Sequence, residues 1–366
     1  MNASNDQNLD GTKRVNSFNS EFSNSVRAFA NELGTKYRTS DISSLLDRMK
    51  SLRVLVIGDT ILDDYHFCRT LGTSSKDPAL AVQHESSEMF AGGVLAVANH
   101  IANLSDNVRL LSVVGERDSH REFIQSKLNP KVSREFVTKP GAPTTLKRRF
   151  VDSYFVNKLF EVYVMDDAPL ADKEEGEFRA LVSRELEECD LVVAADFGHG
   201  TISSKLRDEL CNSSCFLAVN TQANAGNRGF HTIGSYSRAD FASLSEGEIR
   251  LEFRDPRGDL SPMLESVSER LRTRAFVVTR GQNGCIVRAG DGSTFRVPSF
   301  TPRIVDRVGA GDALFAISSL AARLETPPDL LGFLGNVVGG LAVEVLGNRE
   351  SIDRSNIEEF IEPLLG

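Results

Sequence analysis

The sequence predicts an α/β protein in three layers, a mostly parallel central sheet with helices on both faces, carrying a small antiparallel β-lid. Short continuous apolar runs closed by Gly or Asp, such as Arg53-Val54-Leu55-Val56-Ile57-Gly58, are the texture of strands covered on both sides. These runs alternate with helical stretches, which is the pattern of βαβ units. Two regions break the alternation with period-2 patterning and no helix between, so they are expected to project as a lid.

The elements follow in chain order. Residues 1–20 are polar and rich in Asn, Asp and Ser; they cannot bury enough apolar surface to offset their ordering entropy, and disorder is expected there. Across 21–50, Phe22, Val26, Phe29, Ala30 and Leu33 recur at helical spacing, and Leu45, Leu46 and Met49 suggest a second helix entered through Ser40-Asp41. This pair is expected to be an accessory N-terminal element ahead of one domain spanning 51–366. Within that domain the buried strands are predicted at 53–58, 108–114, 191–195, 216–219 and 276–278, with helices at 94–104, 173–186 and 263–271. The lid is expected from about 65–90 and 143–166, where Leu80, Val82, Phe150, Val151, Leu159, Phe160, Val162 and Val164 alternate.

Composition narrows the function. A chain of 366 residues, 40% hydrophobic, can bury a substantial core, and its formal charge of −9 argues against nucleic acid or a membrane surface as partner. The five cysteines, Cys68, Cys189, Cys211, Cys215 and Cys285, form no CxxC pair, so a reducing, cytoplasmic setting is expected and Cys211/Cys215 is read as packing rather than a metal site. No apolar run approaches the ~20 residues that span a bilayer, and the first residues lack the apolar stretch of a signal peptide. A soluble, unexported protein is expected.

The most informative segment is Asp306-Arg307-Val308-Gly309-Ala310-Gly311-Asp312-Ala313-Leu314-Phe315-Ala316, which follows a β-like run (Phe295, Val297, Phe300) and opens a helix. Small residues at Gly309, Ala310 and Gly311 let backbone approach an anion, and the first N–H groups of the helix point at it without intrahelical partners. Such a nest stabilises the charge of a phosphoryl-transfer transition state, and Asp312 stands where a carboxylate can take the proton of an attacking hydroxyl. The alternative is a tight turn with Asp312 as a helix-capping carboxylate. The chain has no G-x-x-x-x-G-K-[ST] loop and no strand–GxGxxG–helix unit, which counts against the P-loop and dinucleotide folds.

On these residues, and on others in the same order, the chain resembles the ribokinase, or pfkB, family of carbohydrate kinases, whose C-terminal signature reads D-[T/V]-[T/V]-G-A-G-D. The likeness covers about residues 52–365 and implies the ribokinase-like three-layer fold, ATP and Mg²⁺ as cofactors, with a monovalent cation left open, and a homodimer with paired lids. It implies that Asp63, with Asp59 close by, holds sugar hydroxyls within Gly58-Asp59-Thr60-Ile61-Leu62-Asp63. Gly92-Gly93 looks like the glycine pair beside the sugar, Lys147 in Pro143-Thr144-Thr145-Leu146-Lys147 like a contact to a phosphate already on the acceptor, and Asp196-Phe197-Gly198-His199-Gly200 like a strand-end substrate motif. Glu246 stands where the family's N-x-x-E organises the metal. Thr279, Gly281 and Gly284 stand on the nucleotide side, with Asn336 and Gly340 in the helix closing the adenine pocket.

Four departures matter. Ala96 replaces an Asn of the family's sugar clamp, Ser243 the Asn of N-x-x-E, and His199 a frequent Lys. Residues 219–230 form an unusual polar loop, in which Arg228 either lines the nucleotide phosphates or lies on a plain surface. Arg307, in the signature itself, either contacts a substrate phosphate or points outward in an ion pair. Among subfamilies the motifs look most like the heptose-phosphate kinase branch, which implies phosphorylation of a heptose 7-phosphate at its anomeric hydroxyl for activated-heptose and surface-polysaccharide synthesis. No HxGH-type motif occurs, so the nucleotidylyltransferase step would fall to a separate protein. A different sugar phosphate or a nucleoside as acceptor, and a non-catalytic binding protein of the same fold, stay open.

Overall fold

A computed structural model of the chain describes residues 23–301 and 303–365. The segment expected to be disordered, 1–20, and Phe22 of the first helical stripe lie outside the described residues. The strands are β1 (Arg53–Thr73), β2 (Leu80–Gly93), β3 (Asn107–Arg117), β4 (Val132–Pro143), β5 (Leu146–Asp152), β6 (Lys158–Val164), β7 (Leu191–Asp196), β8 (Phe216–Thr221), β9 (Phe241–Ser245), β10 (Ala275–Thr279), β11 (Cys285–Ala289) and β12 (Thr294–Val297). The helices are α1 (Asn24–Lys36), α2 (Thr39–Met49), α3 (Val94–Ala102), α4 (Arg121–Lys127), α5 (Asp172–Leu186), α6 (Ser204–Asn212), α7 (Glu246–Phe253), α8 (Leu260–Leu271), α9 (Ala310–Arg323), α10 (Pro328–Ala342) and α11 (Arg354–Leu365).

The main sheet runs β12-β11-β10-β9-β8-β7-β1-β3-β4, parallel from β4 through β10 and closed by antiparallel β11 and β12. Alternation along β1 sorts the two cores. Val54 and Val56 pack with α1, α2, α3 and α9–α11 on one face, while Leu55 and Ile57 pack with α5–α8 on the other. The predicted buried strands therefore stand where apolar runs meet helices on both sides.

Three differences from the sequence reading have local causes. The strand predicted at 53–58 does not end at Gly58, because β1 continues unbroken from the main sheet into the lid. Gly58 permits this at φ +151°, where any Cβ would sit on the Ala195 carbonyl oxygen. The lid is a second sheet, β2-β1-β5-β6, and β5 joins β1 in parallel register, Asp63 opposite Lys147, since the chain reaches β5 from β4 rather than by a hairpin from β1. Finally, the N-terminal helices are not accessory. Val26, Ala30 and Leu33 of α1 and Ile42, Leu45, Leu46 and Met49 of α2 are buried in the main core, and the Tyr37 hydroxyl donates to Asp329 (3.0 Å) on α10. Entry to α2 is set by Asp41, whose carboxylate accepts the Arg38 N–H at 2.8 Å.

Candidate active site

The helix expected after Gly309 starts at Ala310. Gly309 caps α9 at φ +86°, a left-handed conformation, and a Cβ there would sit on Asn348 Oδ1. Ala310 and Gly311 start the helix and line the neighbouring cavity. The preceding Asp306 is buried and holds the loop in place. It accepts from the Tyr65 hydroxyl (2.6 Å), Val308 N–H (3.2 Å) and Gly347 N–H (3.2 Å), and pairs with Lys158 (3.5 Å). Asp312, half-buried in the first turn of α9, has its carboxyl pushed up to about 7, first by burial and then by the charge of Asp63, against the pull of Lys147. A base poised near neutrality suits proton removal from an alcohol.

On the acceptor side, Asp63 is 3% exposed. It is ion-paired with Arg149, and the Asn348 amide reaches its Oδ2 at 3.4 Å. Gly92 has no room for a Cβ because Asp63 Oδ2 occupies that space, and Gly93 turns the chain into α3 at φ +56°. Opposite Asp63 in the lid, Lys147 is 5% exposed and hydrogen-bonds to none of the described residues; its ammonium lies 5.5 Å from the centre of the Tyr163 ring. Burial pushes the Lys147 pKa down, against the attraction of Asp63. Its neighbours are already committed, Arg148 to Asp64 (2.8 Å) and Arg149 to Glu161 (3.1 Å) as well as Asp63.

Beyond the nest opens a cavity of about 970 Å³, lined among others by Glu246, Thr279, Gly281, Gly284, Asn336 and Gly340. Two of its glycines, Gly284 and Gly340, are required by close approach. A Cβ at Gly284 would strike the Val297 carbonyl and one at Gly340 would come within 2.7 Å of the Phe300 carbonyl. Glu246 is bridged by Arg280 (2.9 Å) and Arg250 (2.8 Å), and those two hydrogen bonds hold its carboxyl below the usual carboxylate range. Among the described residues no cluster of three or more His, Cys, Asp or Glu side chains could ligate a metal. The lone carboxylate at the rim matches a hard divalent ion held mainly by nucleotide phosphates and water.

The profile of the pfkB family carbohydrate kinases matches residues 51–354. The chain belongs to the pfkB family of carbohydrate kinases. Among curated relatives, this pfkB kinase is similar to the bifunctional protein HldE of Hyphomonas neptunium, 28% identical over 313 residues covering 84% of the chain and 63% of the relative. It is 22% identical to the HldE protein of Bradyrhizobium diazoefficiens, over 84% of the chain and 62% of the relative. The chain thus spans less than two thirds of the length of these relatives. Two solved structures share its fold, phosphofructokinase-2 from Escherichia coli in complex with potassium (TM-score 0.68, 14% identity, 86% of this chain and 99% of that one) and ribokinase from Thermotoga maritima (0.65, 16%, 85% and 99%). The chain is accordingly a carbohydrate kinase of the pfkB family on a ribokinase-like fold.

Within this pfkB kinase the predicted residues divide. Asp312, Gly309, Ala310, Gly311, Asp63, Gly92, Gly93 and Lys147 come together at the junction of α9, β1 and β5. Asp59 and Asp196, expected to contact substrate, do other work. Asp59 is 1% exposed and its two oxygens take the backbone N–H groups of Phe197 (2.9 Å), His199 (3.2 Å) and Thr201 (3.1 Å), which pins the loop after β7. Asp196 is held by the Tyr236 hydroxyl (2.8 Å) and His231 (3.1 Å). Both carboxylates are consumed by the fold. His199 likewise spends Nδ1 on Asp167 (2.8 Å), a structural bond. Arg228 is exposed and absent from the cavity lining, because its loop folds back over β7 through the Asn227 amide to Phe197 O (3.0 Å). Arg307 lines the cavity. Sequence reasoning missed Asn348, Arg149, Arg280 and Tyr65. Arg280 lies between Thr279 and Gly281, both read as nucleotide-side residues, whereas Asn348 and Arg149 carried no local signal.

Proposed function

We propose that this kinase transfers the γ-phosphoryl group of MgATP to the anomeric hydroxyl of a heptose 7-phosphate. The observation that carries the reading is Asp312. Its carboxyl titrates near neutrality at the start of α9, within electrostatic reach of Asp63 and of the Lys147 ammonium, which makes no hydrogen bond among the described residues. The acceptor enters under the lid, where Asp63, oriented by Arg149 and Asn348, grips its hydroxyls. ATP occupies the glycine-floored cavity, its charge met by the amides of Ala310 and Gly311 and by Arg280. Asp312 takes the proton as the acceptor oxygen attacks, and the nest holds the charge of the migrating phosphoryl group. Mg²⁺, when bound, neutralises the phosphate oxygens, and Glu246 is the carboxylate placed to hold its waters.

A buried ammonium without a hydrogen bond is costly, so an anionic ligand is the natural partner of Lys147 and supports a phosphorylated acceptor. The HldE names of the relatives support seven carbons. The same reading includes a separate nucleotidylyltransferase acting later in the pathway. It also includes a cytoplasmic homodimer with paired lids, whose lid surface exposes Leu71, Tyr154, Phe155 and Phe160. One observation keeps a different sugar phosphate in view: Ala96 is 2% exposed and offers no polar group to a sugar. The test is ATP consumption over a panel of free and phosphorylated sugars of five to seven carbons. Fastest turnover with a heptose 7-phosphate is expected. Preference for a hexose phosphate would move the acceptor, and sugar binding with no turnover on any acceptor would make the protein a binder.

A further inference from the structure

At the end of the sheet opposite Asp312, the thiols of Cys189 and Cys215 lie 2.9 Å apart. Cys189 follows α5 and leads into β7, and Cys215 leads into the adjacent strand β8, so both sit at the amino ends of neighbouring central strands. Cys215 Sγ also lies 3.3 Å from the Cys189 carbonyl oxygen, which locks the two backbones side by side. Cys189 is half-buried and lines an open cavity of about 300 Å³ together with Arg53, Arg109, Lys131, Glu185 and Glu188. Cys215, by contrast, is 8% exposed. Cys211, only four residues from Cys215 in sequence, has its Sγ 3.4 Å from the Arg238 carbonyl oxygen and has no sulfur partner among the described residues. A pair of adjoining thiols therefore exists with one member half-exposed and the other buried behind it. Neither takes part in phosphoryl transfer.

We propose that Cys189 and Cys215 are a reversible dithiol–disulfide modification site whose co-reactant is a small-molecule disulfide admitted through this cavity. The Cys189 thiolate attacks one sulfur of the small disulfide, which expels one thiolate and leaves a mixed disulfide on Cys189. The Cys215 thiolate then attacks Cys189 Sγ and expels the second small thiol. Two protein thiols are oxidised and one small disulfide is reduced to two thiols, the two protons lost by the protein thiols passing to the two expelled small thiolates. The bond closes a loop holding β7, the loop pinned by Asp59, and α6. It staples the unit next to the substrate side while leaving Asp312 untouched.

The test uses the whole chain and oxidised glutathione as the probe. After oxidation and blocking of remaining thiols, peptide mass spectrometry is expected to show Cys189 linked to Cys215, with Cys68, Cys211 and Cys285 alkylated. Dithiothreitol added to the oxidised chain before blocking should restore all five thiols. The oxidised chain should also melt at a higher temperature, a gain that Cys189→Ser abolishes and Cys211→Ser leaves in place. Five alkylated cysteines after oxidation, a Cys211–Cys215 link, or glutathione retained on Cys189 without a cross-link would each overturn the proposal.

Discussion

Asp312 meets two opposed demands, since burial and the charge of Asp63 favour its neutral form while the proposed role as base needs the carboxylate. In the free enzyme kcat/KM should therefore rise with pH through about 7 and level off above it. Asp312→Asn should lower turnover by roughly 10²–10⁴-fold and leave ATP binding intact, as read by calorimetry with a non-hydrolysable analogue. Turnover within a factor of a few of the parent would remove Asp312 as the base. Stability carries an independent signature. The folded pKa lies above the unfolded value of 3.8, so the stability that Asp312 contributes in acid is lost as pH rises through about 7. Thermal melts of the Asn variant should gain on the parent between pH 5 and pH 8, and an unchanged difference would contradict the shift.

Among the elements, the β7–α6 connection shows how a carboxylate that looks like a ligand becomes a girder. Three backbone N–H groups at 2.9–3.2 Å converge on Asp59 from the loop after β7. Asp59→Asn keeps the side-chain volume but replaces an ionised acceptor by one neutral oxygen and an amide that cannot accept. It should cost about 2–3 kcal/mol, the worth of hydrogen bonds to a charged group. Denaturant melts would show the loss, and hydrogen exchange should quicken across 197–201. A variant as stable as the parent with only its acceptor KM raised would return Asp59 to the substrate.

For the molecule as a whole, the N-terminal helices decide where the domain begins. Val26, Leu33, Ile42, Leu45, Leu46 and Met49 are each nearly inaccessible to solvent. Burying such a side chain is worth about 1.5–3 kcal/mol, so the group rivals the whole stability of a typical domain. A chain begun at residue 51 should fail to accumulate in soluble, cooperatively melting form. If it folds and phosphorylates sugar as the full chain does, α1 and α2 are appendages after all.

Much of this architecture is legible in short stretches of residues. The runs at 53–58 and 191–195 read as two-sided strands because a strand between two helix layers must be apolar on both faces, a local property. Gly309-Ala310-Gly311-Asp312 reads as an anion nest because small residues ahead of a helix leave amides free, and that too is local. Partnership between distant residues is not. Nothing near Asp59 or Asp196 announces that backbone amides or Tyr236 will claim their oxygens, and nothing near Asn348 announces its approach to Gly309 and Asp63. Nor does the spacing of Cys189 and Cys215 foretell adjoining sulfurs. Those pairings arise only when the folded chain brings residues 26 to 285 positions apart together, because burial and hydrogen-bond supply belong to the packed chain and not to any segment of it.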